Sequence, residues 1–145
     1  MNYIHIYCIE GIFIGGNWVV SNEVQIMSQP WHDLAEKSID PDDKIEKNYE
    51  CSFDKQNGYL CLGRKKMVFV GVKGFLKKSY NTLLDAPYDD VNEITLANRY
   101  KIDLAYKDKH HSIETSDVSA KIVIQGIVDV TKSSPIKPNI TFSGL

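Results

Sequence analysis

From Ile45 to Thr115 the chain breaks into short apolar stretches separated by turn chemistry, and that rhythm limits the fold more than any other feature. Ile45, Tyr49, Cys51 and Phe53 alternate with Glu46, Asn48, Glu50, Ser52 and Asp54, the period of two that buries one face of a strand. Only Lys47 interrupts the apolar side. In "KQNGY", Asn57-Gly58 offers the positive φ angles of a tight hairpin turn, and "YLCLG" begins the return strand. "MVFVGV" is a continuous apolar run of strand length, the mark of a strand buried on both faces or central in its sheet. "SYNTLL", "NEITLA", "YKIDLAY" and "HHSIET" continue the series. Together they predict a mainly β fold, with seven short strands in an antiparallel sandwich or barrel.

"SDVSAKIVIQGIVDVTK" departs from this rhythm. Its Ile and Val content favours a strand, but Ala120, Val123, Ile124, Ile127, Val128 and Val130 form a helical stripe, and Ser116 or Asp117 offers an N-cap. A C-terminal helix capping the strands is therefore expected, with Gly126 weakening it by roughly 1 kcal/mol. Residues 44–132 read as one domain and 133–145, with Pro135 and Pro138, as a loose tail.

Residues 1–43 read as an N-terminal extension. The first 26 residues hold no Lys or Arg, unlike a secretory signal, and His5, Glu10 and Asn17 interrupt the apolar run that a membrane span needs. The segment reads as an additional hairpin around Gly15-Gly16, or as lying outside the native protein with Met27 as the start. "SQPWHDLAEKSIDPDDK" reads as a polar lead-in, with Asp42-Asp43 a solvated pair.

A net charge of −2 argues against a dedicated nucleic-acid binder, which needs an electropositive surface. Cys8, Cys51 and Cys61 show no CxxC spacing and suit reduced thiols in a cytoplasmic setting. A turn centred on Gln56 would set Cys51 and Cys61 opposite each other, most simply as small buried hydrophobes. No hydrolase, zinc-protease, phosphate-loop or dinucleotide fingerprint occurs. His110 and His111 are neighbours on a strand and point to opposite faces, and His32 in "PWHDL" has no evident partner. The adjacent acids of "PYDDV", Asp89 and Asp90, likewise diverge, so this stretch reads as punctuation between strands. The expectation is a non-enzyme with no catalytic residue, metal or cofactor.

Seven strands followed by one amphipathic helix is the order of the pleckstrin-homology (PH)-like barrel. "GYLCLGRKKMVFV" resembles a stretch of the GRAM and bacterial PH-like families, and "APYDDVNEI" resembles the segment by which the bacterial families pass from one strand to the next. The resemblance covers about residues 44 to 132, departing at Gly63, where Thr is frequent, and at Met67, where Leu is frequent. It implies a barrel capped at one end by the helix, and binding rather than catalysis. For headgroup recognition the PH pattern wants a Lys ending the first strand and a basic pair inside the second. Lys55 fits the first position, whereas Arg64 and Lys66 fall at the following bend, so phosphoinositide specificity is not implied.

Between Lys55 and Leu84 lie seven basic residues, Lys55, Arg64, Lys65, Lys66, Lys73, Lys77 and Lys78, and no acid; the other 115 positions hold 10 basic and 19 acidic residues. If the first strands gather these cations at one open end, they form an anion-attracting patch. The commoner role of such lysines is to keep hairpin ends soluble. "KGFLKK" sharpens the idea: Phe75 and Leu76, ringed by Lys73, Lys77 and Lys78, either insert into a lipid headgroup layer or, the commoner arrangement, fold back onto the barrel. Two partner classes follow, an anionic lipid surface with the protein peripheral to a membrane, and a protein partner, including homo-oligomerisation through a sheet edge or groove; a small-molecule or enzymatic pocket is a minor third reading.

Overall fold

A computed structural model describes residues 29–135 and 137–142. The expected stretches form β1 (Lys47–Phe53), β2 (Gln56–Leu62), β3 (Lys66–Lys73), β4 (Ser79–Pro87), β5 (Val91–Asn98), β6 (Lys101–Tyr106) and β7 (Lys109–Glu114), and an eighth strand, β8 (Ile140–Phe142), joins them. Helix α1 spans Pro30–Lys37 and α2 spans Ala120–Val130. One sheet runs in the order β4-β3-β2-β1-β7-β6-β5-β8. The fold is mainly β, but the expected seven-stranded closed barrel is corrected to eight strands in an open sheet. Its edges among the described residues are β4 and β8. β1 meets β7 only at Ser52↔Glu114 and Phe53↔Ile113, after which the two strands diverge.

β3 shows why the sheet curls as it does. Met67 and Phe69 face the main core with Phe53, Leu60 and Leu104, while Val68 and Val70 face the other side with Cys61. A strand apolar on both faces needs two covers. On the inner side α2 supplies Ala120, Val123, Ile124, Ile127 and Val130. On the outer side α1 supplies Ala35 with Trp31 and Leu34, and Trp31 stacks on Tyr59 at 4.1 Å between ring centroids. The stretch read as a polar lead-in is thus partly a packed helix. Residues 1–28, including the proposed start at Met27 and hairpin at Gly15-Gly16, lie outside the described residues.

Three further expectations shift. The β1–β2 turn is Asp54-Lys55, both at positive φ (49° and 75°), and Asn57-Gly58 lies inside β2 opposite Ser52 and Cys51. Asp54 sets that position by tying the turn to β7: its N–H donates to Ser112 O at 2.8 Å, and Oδ1 accepts the Ser112 N–H at 2.8 Å. Gly58 is needed for close approach instead, because a Cβ there would run into the Val70 carbonyl on β3. Cys51 and Cys61 therefore do not face each other; they lie in separate clusters, and burial pushes each thiol up to about 12.

The tail is only partly loose. β8 pairs parallel to β5, with Ile140 against the core. Helix α2 begins after Ser119 rather than at Ser116 or Asp117, and the Ala120 N–H donates to Arg99 O at 2.7 Å. Val128 lies beyond the edge of the buried stripe and is exposed, since one residue's 100° step from Ile127 carries it outward.

Lys55 holds a left-handed conformation that costs a side-chain-bearing residue about 1 kcal/mol, and its 3.5 Å ion pair with Glu114 is largely solvated. Lys55→Gly should therefore raise the unfolding free energy by about 1 kcal/mol in urea titration; a loss would contradict the turn assignment. Trp31→Ala should cost about 2 kcal/mol in the same assay by uncovering Tyr59 and Val70, and an unchanged midpoint would mean that α1 does not dock.

Candidate functional site

Successive hairpins of an antiparallel sheet turn at alternate ends. The β1–β2 turn and the β3–β4 loop, residues 74–78, therefore share one end, and the β2–β3 turn, residues 63–65, lies at the other. The bonds from Asp54 to β7 bring the β6–β7 turn, Lys107-Asp108, to the first end as well. This geometry divides the seven basic residues. Lys55, Lys73, Lys77 and Lys78 lie at the loop end, and Arg64, Lys65 and Lys66 lie at the opposite end, so the condition for a single patch, that all seven gather at one end, is not met.

The cations at the second end are matched with carboxylates. Lys65 Nζ is 2.7 Å from Asp42 Oδ2, Lys66 Nζ is 2.8 Å from Asp85 Oδ1, and Arg64 Nε is 3.5 Å from Glu46 Oε2. The hydrogen bond from Lys65 holds the Asp42 carboxyl below its usual range, and the same bond raises the Lys65 ammonium. Asp43, read from sequence as solvated, has a side chain only 1% exposed and accepts the N–H groups of Arg64 and Lys65 at 3.0 Å each. A Cβ on residue 63 would crowd that carboxylate, which accounts for glycine at this position.

"PYDDV" closes the same turn. Tyr88 is buried, its hydroxyl donates to Gly63 O at 2.9 Å, and its N–H donates to Lys65 O at 3.0 Å. Burial raises the Tyr88 phenol, so it stays protonated as a donor. Asp89 and Asp90 are exposed in the 3₁₀ turn Tyr88–Asp90, and neither caps it. A cleft of about 390 Å³ lies among Arg64, Lys66, Tyr88, Asp89 and Pro135. With its basic residues already paired, it offers little to an anion.

The loop end differs. Phe75 is 89% exposed and Leu76 93%, so the pair does not fold back onto the sheet. Gly74, at φ +100°, makes the turn this tight; a side chain there would strike the Lys77 carbonyl. Lys73, Lys77 and Lys78 are exposed, with no ion-pair partner among the described residues. The β6–β7 hairpin adds Lys107 and Lys109, exposed residues that sequence reasoning did not include. A signal for them existed in "KDKHH", but it needed the β1–β7 register to give it a place.

Histidines form local contacts. His111 Nδ1 lies 2.7 Å from Asp54 Oδ2 with its ring stacked on Phe53, while His110 is exposed. His32, expected to lack a partner, lies 3.6 Å from Glu36 across one turn of α1. With Asp33 it makes a group of donors within 4.8 Å of one another, on a helix face where such i,i+4 pairs are ordinary.

No protein-family model matches the chain, and no curated protein sequence matches it. Among solved structures, the chain is similar to the hSac2 domain from human phosphoinositide phosphatase Sac2, with a TM-score of 0.50 and 13% identity over 76% of this chain and 84% of that one. It is also similar to the C-terminal domain of an unknown protein from Leishmania infantum, with a TM-score of 0.46 and 12% identity over 69% of this chain and 89% of that one. At 13% identity the first likeness bears on the fold alone.

Asp43→Ala should remove the acceptor for two turn N–H groups and cost about 3 kcal/mol by urea titration. A loss no larger than that of an exposed Asp42→Ala control would show that the β2–β3 turn does not depend on it.

Proposed function

We propose that the chain is a PH-like, GRAM-like binding module without an enzymatic role, which docks on anionic membrane surfaces through its β3–β4 loop. One observation carries this reading: Phe75 and Leu76 stand almost fully exposed at a hairpin tip, flanked by Lys73, Lys77 and Lys78, which have no ion-pair partner among the described residues. An apolar pair held in water by a tight turn has its transfer free energy still available. Burying each side chain in a headgroup layer is worth about 1.5–3 kcal/mol, and each lysine near an acidic surface adds about 1 kcal/mol. That combination suits reversible, two-signal attachment.

The charge pattern favours general recognition of negative surface over one headgroup. Lys55 leans toward Glu114, and the basic pair that a headgroup pocket would use lies at the other end of the sheet. Anionic lipid is concentrated in the cytoplasmic leaflet, so this reading places the protein in the cytoplasm, peripheral to that leaflet. No described helix is long and apolar enough to cross a membrane.

Phe75→Ser with Leu76→Ser should reduce co-sedimentation with phosphatidylserine vesicles about tenfold or more and leave the melting temperature unchanged, because neither side chain packs against the core. Lys73, Lys77 and Lys78 changed together to Gln should weaken binding and flatten its salt dependence. Undiminished binding by the double variant overturns the proposal. A discrete oligomer that ignores vesicles, and that the same variant dissolves, would assign the loop to protein contact instead.

A further inference from the structure

From Lys73 to Ser79 the chain carries one hydroxyl, that of Ser79, directly after Lys77 and Lys78. Ser79 opens β4 and is exposed, and its side chain has no hydrogen-bond partner among the described residues. β4 is an edge of the sheet among the described residues, so Ser79 has a neighbouring strand on one side only, and the residues before it form the exposed loop. Exposed loop tips are where enzymes that act on a folded chain gain access first.

The register of the hairpin supplies a second, independent observation. Ser79 lies directly opposite Lys73 on β3. Side chains so opposed leave the same face of a sheet with Cβ atoms about 4.5–5.5 Å apart, so a phosphate on Ser79 falls within reach of the Lys73 ammonium. No acid occurs between Lys55 and Leu84, and Lys73, Lys77 and Lys78 have no ion-pair partner among the described residues. A phosphoserine carries about −1.5 to −2 charges at pH 7. Placed among three lysines, it would be the first negative charge in that stretch and would cancel more than half of theirs.

We propose that Ser79 is a phosphorylation site whose phosphate releases the β3–β4 loop from anionic membranes, pairing with Lys73 and cancelling the field of Lys77 and Lys78. This rests on the docking function proposed above and assigns its regulation. The phosphoryl donor is ATP held by a protein kinase. Ser79 Oγ attacks the γ-phosphorus, the bond from that phosphorus to the β–γ bridging oxygen breaks, ADP leaves, and the hydroxyl proton passes to the base of the kinase. Phe75 and Leu76 keep their exposure, but an apolar pair without its cations has one of the two signals that stable attachment needs.

The full chain and its Ser79→Ala variant are incubated with ATP and an extract of the cells that make the protein, and peptides are read by mass spectrometry. Phosphate on Ser79 is expected; its absence there overturns the proposal. In a second arm, full chain carrying genetically encoded phosphoserine at residue 79 is compared with unmodified chain in co-sedimentation with phosphatidylserine vesicles. Phosphorylation should weaken binding about tenfold or more, the difference should close as salt rises, and the melting temperature should not fall. Ser79→Gln, bulkier and neutral, should bind as the unmodified chain does. Equal binding with and without phosphate, or a Ser79→Gln variant weakened as far as the phosphorylated chain, overturns release by charge while leaving docking in place. An unmodified chain that ignores the vesicles overturns docking, and the release falls with it.

Discussion

β3 is apolar on both faces, and its two-sided burial organises the sheet and both helices. Met67 and Phe69 require a core on one face, and Val68 and Val70 require a cover on the other. The first demand draws the sheet around α2, and the second pulls α1 across β3 and β4, with Tyr59 of β2 under Trp31. Both covers act along the body of β3, and among the described residues none buries Phe75 or Leu76 beyond Lys73. The apolar tip therefore stands free because the core ends below it, with Gly74 allowing the chain to reverse before any side chain could reach back.

Charge follows the same division. At the β2–β3 end the cations have partners because Asp42, Asp43 and Glu46 arrive there just before β1 begins, and Asp85 on β4, opposite Val68, reaches Lys66 diagonally. The exposed pairs among them contribute little stability, roughly 0–1 kcal/mol, but they cancel the local field. Asp43 differs because it is buried and bonded to backbone N–H groups. At the loop end no carboxylate among the described residues pairs with Lys73, Lys77 and Lys78, so their field extends outward by about a Debye length, ~8 Å at physiological salt.

Much of the framework was legible in residue patterning, because it rests on local periodicity. The strand positions, the double burial of "MVFVGV" and the helix containing Ile124 and Ile127 are of this kind. What sequence missed depends on contacts distant along the chain. The turn moved from Asn57-Gly58 to Asp54-Lys55 because β7 captures Asp54, a tie 58 residues long. β8 holds through a three-residue match to β5 that prolines on either side of Ile136 disguise. Asp43 looked solvated because a carboxylate's burial depends on the N–H groups awaiting it. The division of the basic block, by contrast, was available in principle: alternation of hairpin ends already separates Arg64–Lys66 from Lys73–Lys78.

The orientation of the chain at a membrane decides whether it docks through the β3–β4 loop. With Cys8 replaced by Ser and the two core thiols buried, a polarity-sensitive fluorophore can be placed at Leu76→Cys or, at the opposite end, at Lys65→Cys. On adding phosphatidylserine vesicles, emission from position 76 should shift to the blue and gain intensity while position 65 stays as in water. Equal shifts at both positions, or a shift at 65 alone, would contradict docking through the β3–β4 loop.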